Sequence, residues 1–252
     1  MRLRLLWPIP SLVLLLAVLA PPAAAADSRW RLDLESGAAF NGMNDIAIPG
    51  DTGTRFSLTE SFEVKPAAFF RLRLTFELSR RHHLTALFAP LRFRASGPAP
   101  QAIRYFGAEF EAGAPIEATY RFNSYRLTYR YRLVDAARWT IDLGFTAKIR
   151  DAAIKLSSGA LQPEKKNVGF VPLIHFRVEH VLSDKAGLLL EGDALAAPQG
   201  RAEDVLLAFL YKIADSVTLK AGYRVVEGGA DNAEVYSFAL IHYPSVGLIW
   251  SF

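Results

Sequence analysis

Acid–base chemistry is best sought at the five histidines of this 252-residue chain, and His175 has the most suitable neighbours. Glu179 lies four residues after it and Asp193 lies one predicted strand later, so a carboxylate could orient a histidine general base there. A histidine inside a polar core more often acts as one hydrogen-bonded member of a network. We therefore predict a structural role for His175 and no catalytic residue.

Two other groups of residues could bind a cation. His82 and His83 are adjacent, but they follow two arginines that oppose metal binding. Asp45 and Asp51 lie in the turn-rich segment 44–54, which lacks the spacing of a calcium loop. The chain has no cysteine, which excludes thiolate metal sites, a cysteine nucleophile and disulfides. We expect His82 and His83 to lie in a solvated turn and the segment 44–54 to form a structured external loop. We expect no metal and no other cofactor.

Alternation of apolar and polar residues dominates the rest of the chain. Between Tyr125 and Leu133 the odd positions are tyrosine or leucine and the even positions are arginine or threonine. Only a strand separates two such sets cleanly onto opposite faces. The pattern is weaker in 84–94, 187–195 and 205–213, and it predicts ten strands: 30–35, 70–78, 84–94, 125–133, 139–150, 174–179, 187–195, 205–213, 217–225 and 234–252.

Two irregularities are predicted within these strands. Pro90 interrupts one strand and should cause a bulge or a ladder defect. Asn123 and Ser124 separate Tyr120 from Tyr125, which has the opposite parity, so a bulge is expected between them.

The predicted connections alternate between short and long. The short ones are 79–82, 134–138, 183–185 and 214–216, and the long ones are 42–60, 95–117, 151–167, 196–204 and 227–234. Short turns at one rim and long loops at the other are typical of transmembrane barrels, whose short turns face the periplasm.

The two ends of the chain indicate export and membrane insertion. Arg2 and Arg4 precede an apolar run and an alanine cluster, which predicts a Sec signal peptide over residues 1–26 that is cleaved. The apolar run is too short for a spanning helix. At the other end, one parity of the last strand carries a terminal signature formed by Val246, Leu248, Trp250 and Phe252.

This C-terminal pattern resembles the assembly signal of bacterial outer-membrane β-barrel proteins. The resemblance implies an all-β fold, namely a single up-and-down antiparallel transmembrane barrel over residues 27–252, with about ten strands and eight or twelve as alternatives. It also implies recognition by the barrel assembly machinery of a Gram-negative cell, contact with outer-membrane lipids and lipopolysaccharide, and a monomer. The net charge of +4, two units of which lie in the signal peptide, gives no reason to expect nucleic-acid binding.

In such a barrel the polar face points inward, into a lumen that side chains largely fill. We expect a hydrated ion-pair network that plugs the lumen; the alternative is a narrow path whose basic excess favours anions. The residues predicted to face inward are Arg71, Arg73, Arg92, Arg94, Arg126, Arg130, Arg132, Lys148, His175, Arg177, Lys220, Arg224, Asp33, Glu35, Glu77, Asp142, Glu179, Glu191 and Asp193.

Enzymatic barrels provide a further comparison. Omptin-like proteases use acidic residues and an Asp-His pair near the outer rim, and this sequence has no Asp-x-His. Lipid A deacylases use a His-x-Ser pair, whereas here His180 precedes Ser183 and His242 precedes Ser245 by three residues. Neither pattern matches.

We therefore predict a non-enzymatic, porin-like outer-membrane barrel that is a structural or interaction protein or a narrow pore for small polar solutes. One alternative is a barrel enzyme that acts on outer-membrane lipid or peptide. Another is a soluble periplasmic β-barrel that binds an apolar ligand, which Arg126, Arg130 and Arg132 in the interior would exclude.

Overall fold

The computed structural model describes residues 29–198 and 200–252, so the predicted signal peptide lies outside the described residues. Its elements are β1 (Trp30–Ala47), β2 (Phe56–Ser57), α1 (Leu58–Ser61), β3 (Glu63–Lys65), β4 (Ala67–Ser79), β5 (His82–Ala89), β6 (Arg92–Pro98), β7 (Ile103–Tyr105), β8 (Ala108–Phe110), β9 (Pro115–Asp135), β10 (Trp139–Ser157), β11 (Glu164–Val181), β12 (Ala186–Ala197), β13 (Gly200–Ala214), β14 (Val217–Asp231) and β15 (Tyr236–Ser251). Within this part of the chain, no helix has the length and apolar character needed to cross a membrane.

Ten antiparallel wall strands close into a barrel, as predicted. β5 and β6 form one wall strand that is broken at Pro90 and Leu91, where the sequence predicts a ladder defect. Each wall strand pairs with its neighbour in the chain, and β15 returns to pair with β1. At this closing seam Leu34 lies opposite Leu248, and Leu32 lies opposite Trp250. No edge remains open at the seam, which a barrel in lipid requires.

The outward face carries a band of exposed apolar side chains. Phe145 is 71% exposed and Phe170 is 64% exposed. Such exposure of apolar side chains is unfavourable in water but not in lipid. Aromatic rings cluster near residues 30 and 252: Trp30 packs on Phe76 and Trp250 packs on Phe252, with 4.6 Å between ring centres in each pair. Such aromatic rings are typical of the boundary between lipid and water.

The two rims differ in their connections. The turn end is defined by the short connections 80–81, 136–138, 182–185 and 215–216. The opposite rim, the loop end, has two long connections, 48–66 and 99–114, which carry β2, α1 and β3 and the β7–β8 hairpin. The remaining long loops were predicted wrongly, because β10, β11, β12, β13 and β14 continue through most of 151–167, 196–204 and 227–234. Backbone pairing sustains these strands after the apolar alternation has ended.

Two further predictions are wrong: one concerns a bulge in β9, and the other concerns the direction of two arginines in β6. β9 keeps one parity from Ile116 to Arg130, so no bulge occurs at Asn123 and Ser124. Tyr120 points inward because the lumen is apolar at that height. The register shift in β9 lies instead at Leu133, near the turn end.

Arg92 and Arg94 were predicted to face the lumen, but both point outward. The break at Pro90 and Leu91 does not change the parity of the wall strand, so Phe93 is the residue that faces inward.

The closing seam depends on a close approach at Gly247. A Cβ atom there would lie 2.4 Å from the carbonyl oxygen of Leu34 on β1. We predict that Gly247→Ala destabilises the barrel by about 1–3 kcal/mol, because the strands would have to separate. The temperature of the heat-induced mobility shift in detergent gels measures this effect.

The matched control is Gly169→Ala, whose Cβ would meet only side-chain ends, those of Arg150 at 3.3 Å and Asn167 at 3.4 Å. Equal unfolding temperatures for the two variants would contradict the importance of the seam.

Candidate functional site

The lumen is divided into a charged part, which extends from the turn end to mid-barrel, and an apolar part at the loop end. In the charged part, arginine, lysine, aspartate and glutamate residues from eight wall strands, β1, β4 and β9 to β14, meet across the barrel. In the apolar part the segment between β1 and β4 and the β7–β8 hairpin fold into the barrel.

Asp204 on β13 is the hub of the charged part. Its Oδ2 accepts hydrogen bonds from Arg71 Nη2 at 2.8 Å and from Arg126 Nη2 at 2.6 Å. Its Oδ1 accepts one from Arg224 Nη1 at 2.5 Å. The three arginines come from β4, β9 and β14, so one buried carboxylate joins distant parts of the wall. The low dielectric of the interior strengthens each of these charge-assisted bonds.

A second group of ion pairs lies beside the seam. Glu35 accepts two hydrogen bonds from Arg224, both at 2.8 Å, in bidentate geometry. Lys220 donates to both carboxylate oxygens of Asp33, at 2.6 and 2.8 Å, and to Glu35 at 3.1 Å. Arg73 Nη1 lies 3.2 Å from Asp33 Oδ2. Lys220 and Arg224 come from β14, whereas both carboxylates come from β1. These ion pairs therefore link β14 to β1 across the intervening strand β15.

His175 belongs to this network, on the side formed by β9 to β12. Its Nδ1 lies 3.0 Å from Asp193 Oδ1, and the same oxygen accepts a hydrogen bond from the Thr146 hydroxyl at 2.5 Å. Arg126 Nη1 donates to the other oxygen of Asp193 at 2.6 Å. The His175 Nε2 lies 3.9 Å from Glu191 Oε1. This arrangement orients the imidazole ring but fills its surroundings with protein, which leaves little room for a substrate.

The layer nearest the turn end combines buried groups, such as Asp142, with partly exposed ones, such as Glu179. Asp142 lies 3.0 Å from Arg130 Nε and 3.1 Å from Arg132 Nε. Arg177 donates to Glu179 at 2.7 Å.

At the same level Glu77 lies 3.6 Å from the Nε2 of His83 and 3.9 Å from Arg31. His83 was predicted to lie in a solvated turn, but it is buried inside β5 and faces the lumen. The turn itself is only two residues long.

Lys148 differs from the other inward-facing cations. It is buried, and no carboxylate of the described residues lies within 4 Å of its ammonium group. The ammonium lies 4.9 Å from the centre of the Phe122 ring, in cation–π geometry. Lys148 therefore lies where the charged part of the lumen meets the apolar part.

The apolar part forms a plug. Leu58 of α1, Phe56 and Phe62 are buried against wall residues such as Phe93 and Ile116. The other main plug residues are Ile103, Tyr105 and Phe110 from the β7–β8 hairpin.

One polar group in the plug is fixed by a hydrogen bond to the wall. The Tyr105 hydroxyl donates to the carbonyl oxygen of Ile154 at 2.8 Å. Burial raises the pKa of Tyr105 above its ordinary value, which keeps this donor protonated.

Two small cavities lie inside the barrel. One cavity, lined by Arg71, Phe122 and Tyr243, lies where the two parts meet, and another, lined by Arg126, His175 and Glu191, lies in the charged part. Each has a volume of about 10 Å³. That is about the space one water molecule needs.

The structure brings together most of the residues that alternation directs inward. Those facing the lumen are Asp33, Glu35, Arg71, Arg73, Glu77, Arg126, Arg130, Arg132, Asp142, Lys148, His175, Arg177, Glu179, Glu191, Asp193, Lys220 and Arg224. The terminal signature residues Val246, Leu248, Trp250 and Phe252 share the outward face of the last strand. Sequence reasoning missed Asp204, because it assigned that residue to a loop. Asp204 has the same parity as the inward-facing Leu206 and Ala208, which could have indicated that it also faces the lumen.

The other histidines lie away from any candidate catalytic site. His82 faces outward, with its Nδ1 2.7 Å from the Tyr129 hydroxyl. His180 stacks on Trp139 at 4.0 Å, and His242 pairs with the Tyr223 hydroxyl at 2.9 Å. Within residues 29–198 and 200–252, no three histidine or acidic side chains are grouped as metal ligands.

Comparison with known proteins tests the architecture. No family model matches the chain, and no curated protein matches it. The chain is similar to the outer membrane protease OmpT from Escherichia coli, with a TM-score of 0.54, 10% identity, and coverage of 88% of this chain and 96% of OmpT. This chain has the fold of an outer-membrane β-barrel protein. The identity to OmpT is too low to transfer an activity.

Weaker similarity links this barrel to two other solved structures. The translocator domain of the autotransporter NalP from Neisseria meningitidis has a TM-score of 0.42 and 14% identity, with 90% of this chain and 89% of that one covered. Ail, the attachment invasion locus protein of Yersinia pestis, has a TM-score of 0.37 and 9% identity, with 88% and 98% covered.

The hub role of Asp204 can be measured. We predict that Asp204→Asn destabilises the folded barrel by about 3–5 kcal/mol, because three buried arginines lose their shared counter-charge. Urea unfolding of the refolded protein in lipid vesicles, followed by tryptophan fluorescence, gives this difference.

Glu203→Gln is the matched control, since Glu203 is adjacent, exposed and loses the same charge. A stability of the Asp204 variant equal to that of this control would contradict the hub.

Proposed function

We propose that this chain resides in the outer membrane as a sealed, non-conducting barrel that presents its loop end as an interaction surface. The observation that carries the proposal is the filling of the lumen at two heights. Ion pairs centred on Asp204 fill the middle, and the apolar plug around Leu58 and Phe62 fills the loop end. A barrel of ten strands is narrow enough for side chains to close it in this way.

The charged part argues against a solute pore. Conduction requires groups that bind a solute weakly and release it. The guanidinium groups of Arg71, Arg126 and Arg224 are already engaged by Asp204 at 2.5 to 2.8 Å. A passing anion would have to displace a buried carboxylate, which costs several kcal/mol. Lys148 is less constrained, but the plug separates it from the loop end.

The same geometry disfavours the two other functions considered. An apolar ligand would need free apolar space, but Arg126 and Arg130 make the middle of the lumen polar and the plug fills the apolar part. A barrel protease that uses an Asp-His pair would need a histidine near the loop end. His82, His83 and His180 lie near the turn end, and His175 is enclosed in mid-lumen.

Two features support the proposed location. The outward band of exposed apolar side chains would be unfavourable in the periplasm, whereas lipid would cover it. The signal peptide and terminal signature expected from the sequence agree with export and assembly in the outer membrane.

The loop end offers the surface for an interaction. The tall β10–β11 hairpin and the adjoining end of β9 extend beyond the apolar band, and a surface cleft of about 680 Å³ opens between Ser96, Glu117 and Ser157. The sealed barrel then serves as a rigid base for these segments. An interaction protein with this design needs no path through its centre.

Planar-bilayer recording of the refolded protein tests the seal. We expect no discrete conductance steps, because the lumen cavities admit only about one water molecule each. A porin with about 16 strands, reconstituted in the same way, confirms that the recording detects open barrels.

Regular conductance steps from the wild-type protein would overturn the sealed-barrel proposal. Insertion is verified separately by heat-induced mobility in detergent gels, so that a silent bilayer cannot result from missing protein.

A further inference from the structure

The outward face of the loop end carries basic residues in two rows that cross several strands. Strand register places Arg92 of β6 opposite Arg121 of β9, and Lys166 of β11 lies in the same row. The next row contains Lys65 of β3, Arg94 of β6 and Lys155 of β10. Side chains of paired residues share one face of a sheet, so all six point away from the lumen. We call these six residues the basic rows.

One outward row, which contains Asn123, Asp151 and Val168, separates the basic rows from the apolar band. The last apolar row in this part of the wall consists of Phe88, Tyr125, Ile149 and Phe170, which are paired across β5, β9, β10 and β11. Arg121 lies four residues beyond Tyr125 on the same strand, which is about 13 Å along the strand and about 10 Å along the axis of a tilted barrel. The lipid headgroup layer occupies about the first 5–8 Å beyond the hydrocarbon core. Long basic side chains can reach back to it.

The charges in the basic rows are incompletely balanced by protein. Arg121 lies 3.0 Å from Asp151, and Lys166 lies 3.1 Å from Glu164. Arg92 and Arg94 are exposed, and no carboxylate of the described residues lies within 4 Å of either. Like charges directly opposite each other, such as Arg92 and Arg121, destabilise a sheet. An anion between them would relieve that repulsion.

We propose that the basic rows bind the phosphate groups of anionic lipids in the outer leaflet. Phosphate suits this surface because it accepts several charge-assisted hydrogen bonds from arginine forks. A lipid is favoured over a soluble phosphate compound because the apolar row of Phe88, Tyr125 and Phe170 lies only about 10 Å from the first basic row along the barrel axis and would contact the acyl chains. The inference rests on the proposed function, since it requires a barrel inserted with its loop end in that leaflet.

The test uses the refolded barrel in vesicles of phosphatidylcholine, with and without added phosphatidic acid. The temperature of heat-induced unfolding is compared for the wild type and for the double variant Arg92→Gln, Arg94→Gln. We expect phosphatidic acid to raise this temperature for the wild type, because a ligand that binds the folded state stabilises it. The double variant should lose most of that rise, and high salt should reduce the rise for the wild type.

The matched control is the double variant Arg104→Gln, Arg201→Gln, which loses the same charge at the same end of the barrel. Arg104 lies 3.5 Å from Glu109 and Arg201 binds Glu227, and both arginines lie outside the basic rows. This control should keep the full rise. If the Arg92, Arg94 variant also keeps it, the lipid site is wrong.

Inorganic phosphate added to phosphatidylcholine vesicles distinguishes the source of the anion. A rise in unfolding temperature equal to that caused by phosphatidic acid would overturn the lipid assignment. Failure of the wild type to insert into phosphatidylcholine alone would instead count against the proposed membrane location, so the two failures are distinguishable.

Discussion

A narrow closed barrel leaves no bulk water to solvate the charges that strand alternation directs inward, so those charges must neutralise one another across the lumen. Asp204 shows how this is achieved, because one carboxylate accepts hydrogen bonds from arginines on three different wall strands. Glu35 performs a similar role beside the seam. The ion pairs therefore stabilise the closed shape that makes them necessary, and removing one partner leaves another charge buried without compensation.

The division of the lumen follows from the same constraint. The charged part is enclosed by the section of wall whose outer face is apolar. Lipid offers no hydrogen bonds to the backbone there, so the strands of the closed barrel must pair with one another. Beyond that band the wall no longer has to meet lipid, and an apolar plug of loop segments replaces the ion pairs. Lys148 lies at the boundary, with an aromatic ring in place of a carboxylate. On the outer surface of the wall, the arginine and lysine residues of the basic rows lie just beyond the boundary between lipid and water.

Alternation predicted much of this structure from the sequence, because period two assigns each side chain to a face once a strand is recognised. It placed Arg126 in the lumen and the terminal signature residues on one face of the last strand. It failed where the environment of a face changes along the strand. Tyr120 was expected to point outward because the apolar plug was not foreseen. Arg94 was expected to point inward because the polar outer wall beyond the hydrocarbon core was not foreseen. The contacts of Asp204 depend on the tertiary structure, which no local pattern specifies.

A sealed barrel keeps water away from the inward face of its wall while it spans a lipid bilayer. Because the chain has no cysteine, single-cysteine variants report accessibility without background. Ser124 is inward and buried, and Ser157 lies at the loop end, outside the charged part. With a small water-soluble thiol reagent on both sides of vesicles, we expect Ser124→Cys to stay unlabelled while Ser157→Cys reacts. Equally fast labelling of both variants would show a water-filled lumen and would contradict a sealed barrel.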